Sequence, residues 1–323
     1  MSGVNIPANS DHLSDLDRAD MIDHYGGVVD SQFTKKSIMR KFVKVKPITG
    51  TDTAIVRRAG RTELQALTPG VRPEAAQTQF GKTGVTVDTV ILARDNRSML
   101  NEFQTDFDAR GELGRDHGKE LAKFFDEAFL IQAIKGASLD APANLNNAIG
   151  AGKARNLAAA NDELDPDKLY AKIADIITEM QEEDIDTEEC VIFVRPTQYD
   201  VLLNHDKLVD RDFSLSNGDF ADGKFKTVKG SVVQMTARIP TGVITGHKLS
   251  NDDNGNAYDL SAAEARATAV IMHPMSLIAG ETIPMTSDVF FSKVERQWFI
   301  DSFMAFGVNN RRPDVCGVVN RAA

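Results

Sequence analysis

The 323-residue sequence lacks several patterns that define common protein classes. It has only two cysteines, Cys190 and Cys316, which excludes a disulfide framework and favours a reducing compartment. No apolar run approaches the length of a membrane span, and the acidic N-terminus lacks the basic start and apolar run of a signal peptide. We therefore expect a soluble protein with no membrane contact, made in a cytoplasm.

Motifs for catalysis and for ligand binding are also missing. The stretch from Gly150 to Lys153 resembles part of a phosphate-binding loop, but Ala154 stands where that loop needs Ser or Thr. The oxygen-rich segment 251–259 lacks the terminal carboxylates of a calcium loop. The six histidines have no partners four residues away, so no zinc site is expected. The sequence thus predicts no catalytic residue, no metal and no cofactor.

What the sequence does have is a strong segregation of charge. The net charge is −10, but residues 1–31 carry −5, residues 33–61 carry +8 and the remainder carries −13. A basic segment in an acidic chain suits an arm that lies on an acidic surface of its own or a neighbouring subunit. Nucleic acid is the alternative partner for this segment, although the acidic chain lacks the overall field of a DNA-binding protein.

Residues 42–92 predict a long β-ribbon, because apolar and polar residues alternate on both sides of a turn at Pro69-Gly70. Two-stranded hairpins are marginally stable on their own in water. We therefore expect another molecule, most simply a second copy, to cover this ribbon. Residues 1–40 show no sustained periodicity, and Gly26-Gly27 interrupts a short helical pattern, which predicts an extended arm.

A single long helix is predicted from about Asp106 to Lys135. Gly111, Gly114 and Gly118 fall on one face of it, and each costs roughly 1 kcal/mol relative to alanine. Such a helix needs either close backbone approach along that face or the ability to bend there.

The rest of the chain predicts a linker over residues 138–164 followed by a compact α/β region. Asp165 is a natural N-cap with Pro166 at the first helical position, and that helix is expected to reach about Glu183. The remaining predicted elements are strands Cys190–Val194, Gly230–Ile239, Ala269–Met272 and Val315–Val319, a short helix Gln198–Asn204, and an extended region Val289–Val308.

The order and spacing of several short segments form a further pattern. These segments are Gly60–Thr62, Leu67–Gly70, Val87–Asp95, Phe124–Ala128, Val191–Pro196, Lys229–Val233, Ile271–His273, Arg312–Asp314 and Gly317–Val319. Together they resemble the major capsid protein of short-tailed, podovirus-type bacteriophages of the autographivirus kind. The resemblance covers nearly the whole chain after the first 40 residues.

The resemblance implies an α+β fold, the tailed-phage major capsid protein fold, which encapsulin shells share. It implies five segments, as follows: an N-terminal arm over 1–41, an extended loop over 42–92, a peripheral domain with the spine helix over 93–159, an axial domain over 160–270, and a return to the peripheral domain over 271–323.

The resemblance also implies function and partners. The protein would assemble with itself, as hexamers and pentamers, into an icosahedral shell that encloses double-stranded viral DNA with weak, non-specific contact. A scaffolding protein and a portal protein are the other expected partners, with assembly in the cytoplasm of a host bacterium, and whether a decoration protein also binds stays open from the sequence. Residues 59–81 contain no lysine, so the covalent cross-link of some relatives is not expected.

Two sets of site residues follow. The ribbon arginines Arg57, Arg58, Arg61 and Arg72 are expected to contact acidic residues of a neighbouring subunit. The three helix glycines are expected to permit a bent precursor and a straighter mature helix, so that alanine there should stabilise the helix and trap or bypass the precursor shell.

Two alternatives stay open from the sequence. An encapsulin-like nanocompartment shell would assemble without a scaffold and would co-purify with cargo. An α/β ligand-binding enzyme would need a deep polar pocket with perturbed ionisable groups, which no constellation in the sequence indicates.

Overall fold

The structure is a computed structural model that describes residues 15–62, 64, 66, 69–70, 72, 78–98, 109–143, 145, 148–205, 208, 218–219 and 224–322. The helices are α1 (Asp15–Lys36), α2 (Met39–Phe42), α3 (Ala109–Gly136), α4 (Pro166–Glu182) and α5 (Pro196–Leu203). Short 3-10 turns span Asp162–Leu164, Glu264–Arg266 and Pro313–Val315. The described helices include none that is long and apolar enough to cross a bilayer.

The strands are β1 (Val45–Pro47), β2 (Thr53–Ala59), β3 (Phe80–Thr86), β4 (Ile91–Ser98), β5 (Lys153–Asn156), β6 (Val191–Val194), β7 (Gly218–Asp219), β8 (Lys224–Phe225), β9 (Thr227–Val228), β10 (Ser231–Met235), β11 (Ala267–Met272), β12 (Leu277–Ser292), β13 (Gln297–Asn310) and β14 (Cys316–Asn320).

The described residues group into two compact units. Unit 1 comprises those within 1–37, 90–123 and 283–305, and unit 2 comprises those within 38–89, 124–282 and 306–323. Helix α3 contributes its first half to unit 1 and its second half to unit 2. The five segments inferred from the sequence are functional divisions, and they stay a prediction.

Unit 2 is built around a mixed sheet with the strand order β5-β14-β11-β6-β10-β9 among the described residues. Its central strands β6, β11 and β14 are buried throughout, which explains their continuous apolar sequences. Helix α4 packs on one face through its apolar stripe, which includes Leu169, Ile173 and Ile177. The Asp165 carboxylate accepts the N–H of Asp167 at 3.1 Å, so the predicted N-cap is confirmed.

Three smaller arrangements complete the described strands of unit 2, one of them the antiparallel pair of β7 and β8. Strand β1 pairs in parallel with the start of β12, with Val45 opposite Ala279 and Lys46 opposite Gly280. Strands β2 and β3 form an antiparallel hairpin, with Thr53 opposite Thr86. The β-ribbon predicted over residues 42–92 is therefore confirmed in β2 and β3, whereas β1 pairs with β12, β4 pairs with β13, and helix α2 reaches Phe42.

Unit 1 contains α1 and the first half of α3, together with β4, the far part of β12 and the part of β13 up to Ala305. Strand β13 pairs antiparallel with β4, from Gln297 opposite Ser98 to Met304 opposite Ile91. The long helix predicted from 106 to 135 is confirmed in α3, residues 109–136, and its first residues lie outside the described part of the chain.

The expectation of an extended arm over residues 1–40 is wrong for the described residues. Helix α1 runs from Asp15 to Lys36 straight through Gly26-Gly27. Its face with Tyr25, Val29 and Phe33 is buried, and this burial outweighs the roughly 1 kcal/mol that each glycine costs in a helix.

Candidate assembly surface

The β2–β3 hairpin has an inward and an outward face, as the alternation of side chains along a strand requires. Direct cross-strand neighbours are Ile55 and Gly84, Arg57 and Lys82, and Ala59 and Phe80. We call the side chains of Ile55, Arg57, Ala59, Phe80 and Lys82 the outward face, because all five are exposed.

The outward face combines apolar and cationic groups in an unfavourable way for a surface in water. Phe80 is 75% exposed and Ile55 is 58% exposed. Arg57 and Lys82 are like charges directly opposite each other, which destabilises a strand pair. An open concavity of about 690 Å³ also lies along the far end of the hairpin, next to Arg57 and Phe80. A partner that supplies carboxylates and apolar cover would relieve both problems.

The inward face holds the hairpin on its own unit. Arg58 donates from Nη2 to the carbonyl oxygen of Asn310 at 3.0 Å, and the Thr83 hydroxyl donates to the same oxygen at 3.3 Å. Asn309 donates from Nδ2 to the carbonyl oxygen of Gly84 at 2.7 Å. Val85 is buried among these contacts. The inward face of the hairpin is thus bound to its own unit, whereas the outward face is not covered by other described residues.

The four arginines that were predicted to contact a neighbouring subunit therefore differ in their exposure. Arg57 lies on the outward face, and Arg61 and Arg72 are exposed beyond the end of β2. Arg58 is half-buried, and burial lowers the pKa of its guanidinium below the usual value, with the nearby Arg311 adding to the effect. Because Arg58 contacts its own Asn310, its assignment to a neighbouring subunit is corrected to an anchoring role within the chain.

The helix glycines face a close helix contact in unit 1. All three are buried, and a Cβ added at Gly118 would lie 2.7 Å from the carbonyl oxygen of Val29 and 2.9 Å from the Cβ of Gln32. A Cβ at Gly114 would lie 2.9 Å from the ring of Tyr25. Of the two reasons that the sequence left open, close backbone approach is the one found here. The added methyl at Gly118 would have no room, which argues against stabilisation of the helix by alanine there, and the role of the glycines in bending stays a prediction.

A polar cluster around the buried His117 in unit 1 was missed by the sequence analysis, which considered the histidines only as zinc ligands. His117 Nε2 lies 2.8 Å from Asp95 Oδ2, and His117 Nδ1 lies 2.8 Å from the hydroxyl of Tyr25. That hydroxyl lies 2.9 Å from Ser302 Oγ. Burial raises the pKa of Tyr25 to about 12, so its hydroxyl keeps its proton at neutral pH. The cluster ties α1, α3, β4 and β13 together.

No group of three or more His, Cys, Asp or Glu side chains in the described part of the chain is placed to hold a metal ion. The thiols of Cys190 and Cys316 are buried, and burial raises the pKa of each to about 12, which leaves them unreactive as nucleophiles.

The comparison with protein families decides the identity. A family model described as "Phage capsid protein" matches residues 74–315, which is three quarters of the chain. The chain belongs to the phage capsid protein family. It is a major capsid protein, a structural component of the virion that self-associates into the shell, and it is not an enzyme.

Solved structures support this assignment. A chain in the mature capsid of bacteriophage PhiM1 is 27% identical to this capsid protein with a TM-score of 0.78, and the match covers 88% of this chain and 87% of that one. A chain in the capsid of cyanophage P-SCSP1u has the same TM-score at 16% identity, with 88% of both chains covered. No curated protein sequence matches the chain significantly.

The fold extends to a shell described as a virus-like particle. A chain of the virus-like particle from Pyrococcus furiosus matches with a TM-score of 0.54 at 12% identity, covering 93% of this capsid protein and 100% of that chain. This likeness concerns the fold alone. The tailed-phage major capsid protein fold predicted from the sequence is confirmed, and it is shared with such shells.

Proposed function

We propose that this capsid protein assembles as hexamers and pentamers into the icosahedral shell of a short-tailed bacteriophage, and that the shell encloses double-stranded viral DNA. A scaffolding protein guides assembly in the cytoplasm of a host bacterium, a portal protein occupies one vertex, and a decoration protein binds the finished shell. The 27% identity to the chain of the PhiM1 capsid supports this proposal.

The observation that carries the assembly mechanism is the outward face of the hairpin. Phe80 and Ile55 offer exposed apolar anchors, and Arg57 and Lys82 offer two adjacent cations that no partner in their own strand pair neutralises. Aromatic and arginine side chains are the usual anchors of protein interfaces. We therefore assign this face to an acidic and partly apolar surface of the neighbouring subunit, with Arg61 and Arg72 contributing further contacts.

The stability of the shell would come from many repeated weak contacts rather than from a few strong ones. An exposed ion pair contributes about 0–1 kcal/mol, but every subunit of a closed shell makes the same contacts. Charge complementarity also sets the register of neighbouring subunits and excludes wrong arrangements. The anchored base of the hairpin limits the conformational entropy lost on docking.

The test is a double charge reversal, Arg57→Glu with Lys82→Glu. We expect a folded chain that forms few or no shells in electron micrographs, because the reversed charges repel the acidic surface. The matched control, Lys226→Glu with Lys248→Glu, makes the same change of charge at exposed positions outside the hairpin. Normal shells from the hairpin variant would overturn the docking assignment.

A co-expression experiment separates this proposal from a nanocompartment. The purified wild-type chain should form regular shells only with its scaffolding protein. Regular shells that form alone and retain a specific cargo protein would instead support the nanocompartment function.

A further inference from the structure

A second cationic surface lies close in sequence to the hairpin but differs from it in composition. Lys41 lies in the last turn of α2, Lys44 lies directly before β1, and Lys46 lies within β1. All three side chains are exposed, and none of them joins an ion pair with another described residue. The neighbouring Arg40, by contrast, donates to both carboxylate oxygens of Glu281, at 3.2 and 3.4 Å. We call Lys41, Lys44 and Lys46 the lysine patch.

The lysine patch stands on a well-anchored piece of backbone. The Asp126 carboxylate accepts the N–H of Ile38 at 2.8 Å and of Met39 at 3.1 Å, which fixes the start of α2. Phe42 packs edge-on against Phe193 with 5.7 Å between ring centroids. The three lysine side chains therefore extend into solvent from a stretch of backbone that is held in place.

Lys46 lies within β1, and Lys44 immediately precedes that strand. Residues two apart along a strand share a face and lie roughly 7 Å apart, so Lys44 and Lys46 form a short row of positive charge. Among the described strands, β1 lies at the edge of its sheet, where it pairs with β12. This row is therefore open along its length.

Composition indicates which partner the lysine patch suits. The apolar side chains between the lysines are turned inward: Val43 is buried, and Phe42 and Val45 are half-buried. An acidic protein surface is usually held by exposed aromatic or apolar anchors, such as Phe80 and Ile55 on the hairpin. A row of lysines without such anchors suits a polyanion that is bound through its charge alone. Proteins bind the phosphate backbone of DNA in that way.

We infer that the lysine patch is a contact surface for the phosphate backbone of double-stranded DNA, bound without regard to sequence. The inference rests on the proposed function, because only a shell that encloses DNA presents this polyanion to every subunit. The residues outside 33–61 carry a net charge of −18, so the acidic remainder of the chain repels phosphates, whereas the lysine patch attracts them, as does the cationic outward face of the hairpin. The contact is thus localised and weak, and DNA held by it stays movable.

The experiment measures binding of a short, labelled DNA duplex to the full-length, unassembled protein by fluorescence anisotropy over a series of salt concentrations. The variant is Lys41→Gln with Lys44→Gln and Lys46→Gln. The slope of log K against log salt should become shallower by about 2.7, because each lost phosphate contact contributes about 0.9. At about 0.1 M salt, the loss of affinity should be on the order of a hundredfold.

The matched control neutralises three exposed lysines elsewhere, in Lys226→Gln with Lys248→Gln and Lys293→Gln. This variant has the same net charge and should bind DNA nearly as tightly as the wild type. Circular dichroism checks that both variants fold. If the triple variant of the lysine patch does not fold, the single variant Lys44→Gln replaces it, with an expected slope change of about 0.9.

Four results would overturn the inference. The first is a lysine-patch variant that binds DNA like the control, and the second is a wild-type chain that does not bind DNA at all. The third is equal binding of polyglutamate at matched charge, which would indicate an acidic protein partner. The fourth is a lysine-patch variant that aggregates while its DNA affinity is unchanged, which would mean that the lysines only protect the edge of the sheet. Shell formation is scored separately in electron micrographs, so failure of the inference and failure of the proposed function remain distinguishable.

Discussion

The two halves of helix α3 contrast sharply in how they use one continuous helix. In unit 1, residues 111–123 carry exposed charged side chains and bury several small residues, among them Gly114, Gly118 and Ala122, beside His117 and Leu121. In unit 2, residues 124–136 bury large apolar side chains, among them Phe129 and Ile131. The first half achieves close contact by removing side chains, and the second half achieves it by filling space.

The difference determines which change each half tolerates. Where a backbone oxygen touches the glycine face, any added atom is excluded, so the first half is sensitive to enlargement. Where phenylalanine rings fill a core, any removed atom leaves a cavity, so the second half is sensitive to truncation. Three substitutions test this contrast.

The largest effect is expected from Phe129→Ala in the second half. Phe129 is fully buried, and its ring lies 4.5 Å from that of Phe125 between centroids. Truncation should lower the free energy of unfolding by about 3–5 kcal/mol, measured by urea denaturation of the unassembled chain. The exposed Lys123→Ala serves as control and should change it by about 0.5 kcal/mol or less. A loss below about 1 kcal/mol for Phe129→Ala would mean that this half is not a packed core.

A smaller effect of opposite origin is expected from Gly118→Ala. The new methyl would meet the carbonyl oxygen of Val29 at 2.7 Å, and overpacking of this kind costs about 1–3 kcal/mol. Better helix propensity returns up to about 1 kcal/mol, so a net loss of stability is expected. Gly27→Ala in α1 is the matched control, because nothing lies within 4 Å of its added Cβ, and it should gain about 0.5–1 kcal/mol. If both variants are stabilised, the glycines of α3 serve bending, as the sequence first suggested.

Local signals in the sequence account for the elements that were predicted well. Asp165 and Pro166 mark the start of α4 because an N-cap and a proline at the first position act within one turn. The period of apolar residues likewise predicted α3. These features depend on neighbours a few residues away, which the sequence displays directly.

The misses all depend on contacts between distant residues. His117 has partners 22, 92 and 185 positions away, so no local pattern shows its cluster. Alternation predicts that Arg57 and Arg58 point to opposite faces, but only the position of Asn310 decides which of them is anchored. Helix α1 crosses Gly26-Gly27 because tertiary burial outweighs propensity, which a pattern of single residues does not reveal.

The smallest expected effect is a pH dependence of stability, which arises where His247 contacts Phe124 in the second half of α3. The His247 ring stacks on that of Phe124 with 4.9 Å between centroids, and its Nδ1 accepts the N–H of Leu249 at 3.2 Å. Burial lowers the pKa of His247 below its ordinary value near 6.5. The unfolded chain then takes up the proton first, so stability should fall as the pH falls below about 6.5, by at most about 1.4 kcal/mol for each pH unit.

His247→Phe keeps an aromatic ring against Phe124 and removes the titration, so its stability should fall less between about pH 7 and pH 5 than that of the wild type. The difference between the two chains is the proper readout, because other groups titrate as well. Burial raises the pKa of Glu127, which acts in the opposite direction, and burial lowers that of His273, which adds to the fall. Asp259, whose pKa is lowered to about 2 by its hydrogen bonds, stays ionised throughout this range. Equal pH dependence in both chains would show that the ring beside Phe124 is not the proton acceptor, and that the second half of α3 is insensitive to pH at this contact.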